Sequence, residues 1–495
     1  MIDILLGQSY YLRFDPKLWE AMKPYPPLGS LYAASYLRAR GYRVALFDAM
    51  LAQSEAEWKA ALEAQQPRLA VLYEDNFNYL SKMCLLRMRQ AAFKMMAMAR
   101  ERDCTVIVAG SDASDHPKAY LEQGADFVLI GEGEATLAEL ADRLSGRSRQ
   151  PFSEILGLAY QEEGGLVNNG RRPDLKDLDS LPFPAWDLVD VERYRRIWLE
   201  KHGYFSMNVA TTRGCPFHCN WCAKPIWGQR YNTRSPDNVV KEMAWLKQTY
   251  APDHLWINDD IFGLKAGWVK RFAELVEAYE ACIPFKSLNR VDLLLRPGEI
   301  EALKRAGCQI VWVGAESGSQ KILDAMDKGT RVDQIHAASQ QLHAAGIQVG
   351  FFLQFGYPGE TLEDIQRTLQ MVTDCEPDDI GVSVSYPLPG TPFYERVRAQ
   401  LGAQHNWIDS EDLAMLYHGP YSTEFYRQLH RVVHAGFRRQ RAAGRMRRGD
   451  GPLAKNMARW GLETLRLPFL RLRMEALANQ PEGSGRLGPK ARDFR

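Results

Sequence analysis

The sequence predicts an α/β protein of two successive parallel-sheet domains. A Rossmann-like domain comes first, a partial (β/α)6 barrel of the TIM type follows, and a mainly helical carboxyl-terminal region closes the chain. Two observations predict the sheets: short apolar runs alternate with helical segments from Ile2 onward, and a second such series starts near Tyr204. A third observation sets the end apart. Between Arg431 and Arg473 stand eleven Arg and one Lys against Asp450 and Glu463, in helical patterning. The boundaries drawn from these shifts are 1–150, a linker with a small hairpin over 151–203, the barrel over 204–400, and a cap with a basic helical tail over 401–495.

The 495 residues are 46% hydrophobic and 25% charged with a formal net charge of +1, the profile of an ordinary globular protein without the basic excess of a nucleic-acid binder. The opening MIDILLGQSYYLRF lacks a basic leader and a small-residue cleavage site, so it reads as a first strand. No uninterrupted apolar run reaches membrane-spanning length. Eight cysteines in so long a chain do not suggest a disulfide scaffold, and they favour a reducing, cytoplasmic and oxygen-poor setting.

In chain order, 2–6 (IDILL), 42–47 (YRVALF), 69–73 (LAVLY), 105–109 (TVIVA) and 126–130 (DFVLI) read as buried strands separated by helices near 28–38, 54–64 and 82–101. A parallel sheet presents ligands to the carboxyl ends of its strands. The loops at 8–14, 24–29, 48–50, 74–79, 110–116 and 131–134 are therefore expected on one rim. No G-x-G-x-x-G follows the first strand, which argues against a nicotinamide or flavin site. The linker carries LGLAYQEEGGLVNNG, a hairpin turning at Gly164-Gly165, and then a Pro- and Asp-dense stretch. The barrel strands are expected at 207–212, 254–258, 284–289, 309–314, 347–355 and 379–385, short of the eight that close a barrel. Residues 387–430 are rich in aromatics and proline and read as a substrate-side cap, and the end from Asn479 as a disordered tail.

The chemistry concentrates at 211–231, TTRGCPFHCNWCAKPIWGQRY. Cys215, Cys219 and Cys222 form a C-x3-C-x2-C set directly after the first barrel strand, and the other five cysteines are scattered. Three thiolates can bind a soft metal or an iron–sulfur cluster. A structural zinc site usually takes four protein ligands, and no fourth Cys or His stands at a familiar zinc spacing. A structural zinc or nucleic-acid-binding module is the alternative of a different class. A cubane held by three thiolates leaves its fourth iron open to a small molecule. Such a site needs an aromatic wall and polar groups for a cofactor. Trp221 can pack against an adenine, and Asp259 and Asp260 end the second strand. Gly314 permits close approach beside Glu316 and Ser317 at the end of the fourth strand, and Gly356–Glu360 ends the fifth.

These motifs resemble the radical SAM superfamily: C-x3-C-x2-C with an aromatic before the last cysteine, G-x-E-S after the fourth strand, and FGYPGET at the fifth. The first domain, with PPLG near residue 26 and GEGE at 131, resembles the cobalamin-binding domain of the B12-dependent class. Through RGCPFHCNWCAKPIWGQRY, WINDDIFGL and SYPLPGTPFYERV the chain is similar to the anaerobic magnesium-protoporphyrin IX monomethyl ester cyclase subgroup. The resemblance implies a [4Fe–4S] cluster on Cys215, Cys219 and Cys222, with S-adenosylmethionine on the open iron and against Trp221, Asp260, Gly314, Glu316 and Ser317. It implies cobalamin along Pro27, Gly29, Gly110, Gly131, Glu132 and Gly133. Its reaction is reductive cleavage of S-adenosylmethionine to a 5′-deoxyadenosyl radical that attacks an unactivated C–H bond. The outcome is oxidative cyclisation of a tetrapyrrole-like molecule or, alternatively, C-methylation. It further implies a small hydrophobic substrate, a flavodoxin- or ferredoxin-like electron donor and no nucleic-acid partner. The basic tail adds an expected peripheral membrane contact. One departure is clear. GSDASDHPKAYLEQG does not match the D-x-H-x-x-G loop of base-off cobalamin domains, so His116 is not expected to ligate cobalt in the usual way.

Overall fold

The computed structural model describes residues 2–82, 85–222, 224, 226–402 and 406–479. Its first strands are β1 Ile4–Gly7, β2 Val44–Phe47, β3 Leu69–Tyr73, β4 Thr105–Ala109 and β5 Phe127–Leu129. Apolar residues without polar alternation suit a parallel sheet covered on both faces, and these strands pair in parallel. The hairpin turning at Gly164-Gly165 forms β6 Leu158–Glu162 and β7 Gly165–Asn168, which extend this sheet antiparallel from β5. The order is β2-β1-β3-β4-β5-β6-β7. One face is packed by Trp58, Met95 and Met96, the other by Leu37, Leu137 and Leu140. Because β1 to β5 run the same way, the loops that follow them share one rim.

The second sheet is six-stranded and parallel, as the partial barrel requires. It holds β8 Ser206–Val209, then, after a short antiparallel pair β9 Thr212–Arg213 and β10 Asn232–Thr233, β11 His254–Ile257, β12 Phe285–Asn289, β13 Cys308–Glu316, β14 Gln348–Phe355 and β15 Asp379–Val384. The helices that cover it start at strong caps. Ser235 accepts from Asn238 N ahead of Pro236–Tyr250, and Thr361 with Asp364 closes a capping box on Leu362–Cys375. Val311, Val313, Val349 and Phe351 pack under those helices. Strand alternation sends Trp312, Gly314 and Phe352 to the opposite, inner face.

The two domains are joined by packing as well as by chain. The 23–29 loop lies against β8 and the preceding Val191–His202 helix: Trp198 Nε1 of the helix donates to Pro24 O at 2.8 Å, Tyr25 Oη bonds Ser206 Oγ at 2.9 Å, and Asn208 Nδ2 donates to Pro26 O at 3.1 Å. One continuous core takes Leu28, Tyr32 and Phe77 from the first domain, Trp227 and Val239 from the second, and Phe425 and Leu429 from the last region. That last region is a hairpin of long helices, Thr423–Arg448 and Leu453–Ala478, turning at Gly449 with φ 73°. The tail expected to be disordered falls, beyond Asn479, outside the described residues.

Candidate active site between the two rims

The cysteine loop is held from three sides. At its start, Asp259 after β11 accepts Thr211 N at 2.7 Å and Thr212 N at 3.0 Å, and also the Thr211 hydroxyl. Burial pushes Asp259 up to about 7. Gly214 then turns the chain at φ 82°, where a Cβ would stand 2.4 Å from Arg230 O, so only glycine fits immediately before Cys215. In the middle, Asn220 Nδ2 donates to Ala325 O at 2.8 Å and to Asp327 at 2.7 Å, and its Oδ1 bonds the Tyr357 hydroxyl at 2.8 Å. Its backbone carries Phe393 N at 3.0 Å, which ties the loop to the Pro392–Val397 helix. Past Cys222, Lys224 Nζ donates back to Phe217 O.

This anchoring gathers the three thiols without a disulfide. Burial raises Cys215 and pushes Cys222 up to about 12, and the neighbouring thiols raise both further. Thiolates crowded in a dry loop require positive charge, which the irons of a cluster provide. Among the described residues no three His, Cys, Asp or Glu side chains converge on a single ion position. A cubane asks for a wider spread, because each thiolate binds its own iron.

The barrel rim supplies the surrounding groups. Glu316 ends β13 in the left-handed region at φ 55° and is paired with Lys328 at 2.8 Å, both buried. A Cβ on Gly314 would lie 2.5 Å from both Glu316 Oε1 and Lys328 Nζ, so the glycine makes room for that pair. Lys328 Nζ also stands 5.9 Å from the Trp221 ring centroid. Ser317 is used within its own turn: its hydroxyl accepts Ser319 N at 3.1 Å and bonds Thr368 Oγ1 at 3.1 Å. Glu360 is pushed up to about 8 by burial while accepting Gly356 N at 2.7 Å.

The first-domain rim faces this one and is bolted to it. Arg213, two residues before Cys215, is buried and pairs with Glu132 and, at 2.7 Å, with Glu134. The second oxygen of Glu132 accepts Leu175 N at 2.6 Å. Asp260 pairs with Lys82 at 2.5 Å across the same boundary. Glu132 and Asp260, expected as cofactor contacts, thus also hold the rims together. The glycines sit where neighbours approach. Gly29 N donates to Asp75 at 3.0 Å, and a Cβ would be 2.8 Å from Glu74 at Gly110, 3.2 Å from Arg171 at Gly131 and 2.9 Å from Tyr73 at Gly133. Pro27 precedes the Leu28–Arg38 helix. His116 lies 3.8 Å from Asp112 on a half-exposed side chain. Burial pushes Glu74 to about 7 and Asp75 to about 6.

Tyr79 exposes 58% of its surface, yet burial among protein atoms, with Cys222 and Glu316 adding to it, raises its hydroxyl pKa. On the inner face of the barrel, Trp312 and Phe352 pack with ring centroids 4.8 Å apart. Gly350 and Gly381 leave room for them, since a Cβ would meet Trp312 at 2.4 Å and Phe352 at 3.1 Å respectively. Phe352 remains 39% exposed in this lumen. Deeper, Lys286 Nζ lies 4.2 Å from the Trp256 ring centroid, and its pKa is lowered to about 7 by burial and by Lys23.

Both rims carry buried polar atoms with no hydrogen-bond partner: Gln8 Oε1 and Nε2 and Ser9 Oγ after β1, and Trp221 Nε1, Asn258 Oδ1 and Glu360 Oε1 around the barrel mouth. Others lie elsewhere in the fold, at Arg143, Trp186 and Glu463 among them; at the rims, where each unsatisfied group costs about 1–3 kcal/mol, such atoms fit bound cofactors. Sequence reasoning had the loop of Gln8 but not the residue, and it missed Asn220, Arg213 and Lys328. Asn220 and Arg213 lie inside the quoted motif, and their polarity beside the cysteines was the available signal. Lys328 had none.

Residues 20–141 match the B12 binding domain, and residues 209–372 match the Radical SAM superfamily. The chain is 30% identical over 294 residues to an uncharacterized methyltransferase of Pyrococcus horikoshii, covering 59% of this chain and 62% of that one. It is 25% identical over 382 residues to the anaerobic magnesium-protoporphyrin IX monomethyl ester cyclase of Rubrivivax gelatinosus, covering 75% of this chain and 66% of the relative. The chain thus spans less than two thirds of either relative. Its fold is similar to that of the radical S-adenosylmethionine methyltransferase TsrM from Kitasatospora setae, solved with cobalamin and a [4Fe-4S] cluster, at TM-score 0.65 and 20% identity over 81% of this chain and 75% of that one.

Proposed function

We propose that this chain, which joins a B12-binding domain to a radical SAM domain, is a cobalamin-dependent radical SAM enzyme that functionalises an unactivated C–H bond of a small molecule. The observation that carries the reading is the Arg213 bridge, which sets the three-cysteine loop directly against the rim of the B12-binding domain. When bound, the cluster and S-adenosylmethionine supply reductively generated radical chemistry, and cobalamin supplies a methyl carrier or redox partner. Cys215, Cys219 and Cys222 would hold the cluster. Trp221, Gly314 and Glu316 would form the wall offered to S-adenosylmethionine, with Asp260 at its edge, while Ser317, expected with them, is buried with its hydroxyl spent on Ser319 N and Thr368. Pro27, Gly29, Gly110, Gly131 and Gly133 give the first rim the close backbone approach a corrinoid needs, and Glu132 keeps that rim in place. The protein's own part is to position these groups and exclude water. An external one-electron donor of the flavodoxin or ferredoxin kind completes the reaction.

The lumen bears on the substrate. Trp312 and Phe352, their ring planes 31° apart, offer an apolar aromatic wall, which suits a largely hydrophobic molecule. Oxidative cyclisation of a tetrapyrrole-like substrate agrees with that wall and with the similarity to the cyclase. Methyl transfer to carbon is the second reading, favoured by the names of the methyltransferase relative and of TsrM. Anaerobic incubation with S-adenosylmethionine, reductant, cobalamin and candidate substrates, read by product mass, separates them. A gain of one methyl group selects methylation, and a ring-closure mass change selects cyclisation. Reconstituted protein should hold about four irons per chain. Cys215→Ala should lose most of that iron and all 5′-deoxyadenosine formation, and intact cleavage in this variant would sink the assignment.

A further inference from the structure

The Leu453–Ala478 helix has two unlike sides. Asn456, Glu463, Leu467 and Met474 are buried against the Thr423–Arg448 helix, where Gln428 Nε2 donates to Leu470 O at 2.9 Å and Arg438 pairs with Glu463 at 2.6 Å. The other side is exposed and mainly apolar, with Arg471 and Glu475 toward its carboxyl-terminal end. Leu453, Met457, Trp460, Leu465, Phe469 and Leu472 expose 60%, 56%, 43%, 72%, 75% and 64% of their surfaces. At about 100° per residue these six fall on one broad half of the helix. Lys455, Arg459 and Arg466, all exposed, line its flank within about 40° of one another by the same geometry. A monomeric protein rarely leaves so long an apolar face uncovered.

We propose that this face docks on an anionic lipid bilayer, with the helix lying in the plane of the interface. Two features select that occupant. The apolar face is flanked by cations, and of the two acids on the helix Glu463 is turned inward to Arg438 while Glu475 is exposed; against Lys455, Arg459, Arg466, Arg471 and Arg473, all exposed, that one acid leaves the outward side net positive and complementary to acidic headgroups. No described helix is long and apolar enough to cross a membrane, so the contact is with the surface and not through it. Leu465, Phe469 and Leu472 sink into the acyl boundary, and Lys455, Arg459 and Arg466 meet the headgroups. The inference is independent of which reaction the two rims perform.

The test is flotation of the full chain with vesicles of phosphatidylcholine alone or mixed with phosphatidylglycerol. Binding to the anionic vesicles should exceed binding to the neutral ones by about tenfold and weaken in high salt. L465E/F469E, which changes only exposed side chains, should abolish flotation while keeping the wild-type circular dichroism spectrum. K455E/R459E should lose the preference for anionic vesicles. Failure of the wild type to float, or flotation unchanged in L465E/F469E, overturns the proposal. Light scattering gives the competing result: a wild-type dimer that L465E/F469E dissolves into monomers would assign the face to a second copy of the chain and overturn the membrane reading.

Discussion

The two facing rims are built by opposite means. At the barrel mouth one short stretch carries the candidate cluster ligands, three thiols within eight residues, and distant groups such as Asp259, Asn220 and Lys328 hold it in shape. At the first rim the candidate contacts come from loops spread between residues 8 and 134, and the side chains present are largely spent on the fold. Glu132 and Glu134 clamp Arg213, Asp75 caps Gly29, and Glu74 accepts Ser9 N at 3.1 Å. Local ligands need external support. A dispersed cradle supports itself and offers the cofactor mainly backbone and room.

The largest effect that would break this comparison is at its hinge. Arg213→Ala leaves Glu132 and Glu134 buried without their cation, and removing one partner of a buried ion pair costs about 3–5 kcal/mol. The denaturation midpoint should fall accordingly, and Arg213→Lys should recover only part, because a single ammonium cannot reach two carboxylates as a guanidinium fork does. An unchanged midpoint would mean the rims are held elsewhere. A smaller, more local effect is expected of Gly314→Ala. Its Cβ would force apart the Glu316–Lys328 pair, so S-adenosylmethionine affinity should drop about tenfold, equivalent to about 1.4 kcal/mol, while iron content stays at the wild-type level. Loss of iron in this variant would mean that the pair supports the cluster loop rather than the ligand wall.

The smallest effect concerns Lys286 under the lumen. Its pKa is lowered to about 7 in the folded chain, against an ordinary value of about 10.4. Between these values the unfolded chain binds more protons than the folded one, so stability rises with pH across that window, and the penalty is complete below it. Lys286→Met should therefore raise the melting temperature by a few degrees at pH 6, roughly the effect of 1 kcal/mol or more. The gain should shrink toward pH 10. Equal gains at both pH values would show that packing, not charge, is responsible.

The sequence made legible what repeats or clusters along the chain. Strand and helix alternation placed both sheets, because a buried parallel strand is an unbroken apolar run, and LAVLY and TVIVA are strands wherever they pair. The cysteine spacing was legible because three thiols within eight residues are a local pattern. Arg213 with Glu132 was not, since two charged residues 81 positions apart carry no shared pattern. Nor was the inner wall. Trp312 over Gly350 is a cross-strand relation, visible only once register is known. PPLG had a use that its resemblance did not suggest: Pro26, its first residue, and Tyr25 beside it fasten the first domain to β8.

The distribution of cores has a consequence for how the chain is made. The buried residues of both cores of the first sheet come from positions up to Ala185, so that sheet can pack while the rest is still being synthesised, although Leu28, Tyr32 and Phe77 wait for the later regions they share a core with. The core under the barrel runs from Tyr10 to Met474 and stays incomplete until nearly the whole chain has left the ribosome. Domains emerging first generally fold first. The B12-binding domain is thus a ready surface on which the barrel assembles, and a late truncation should leave a folded first half attached to an unfinished second.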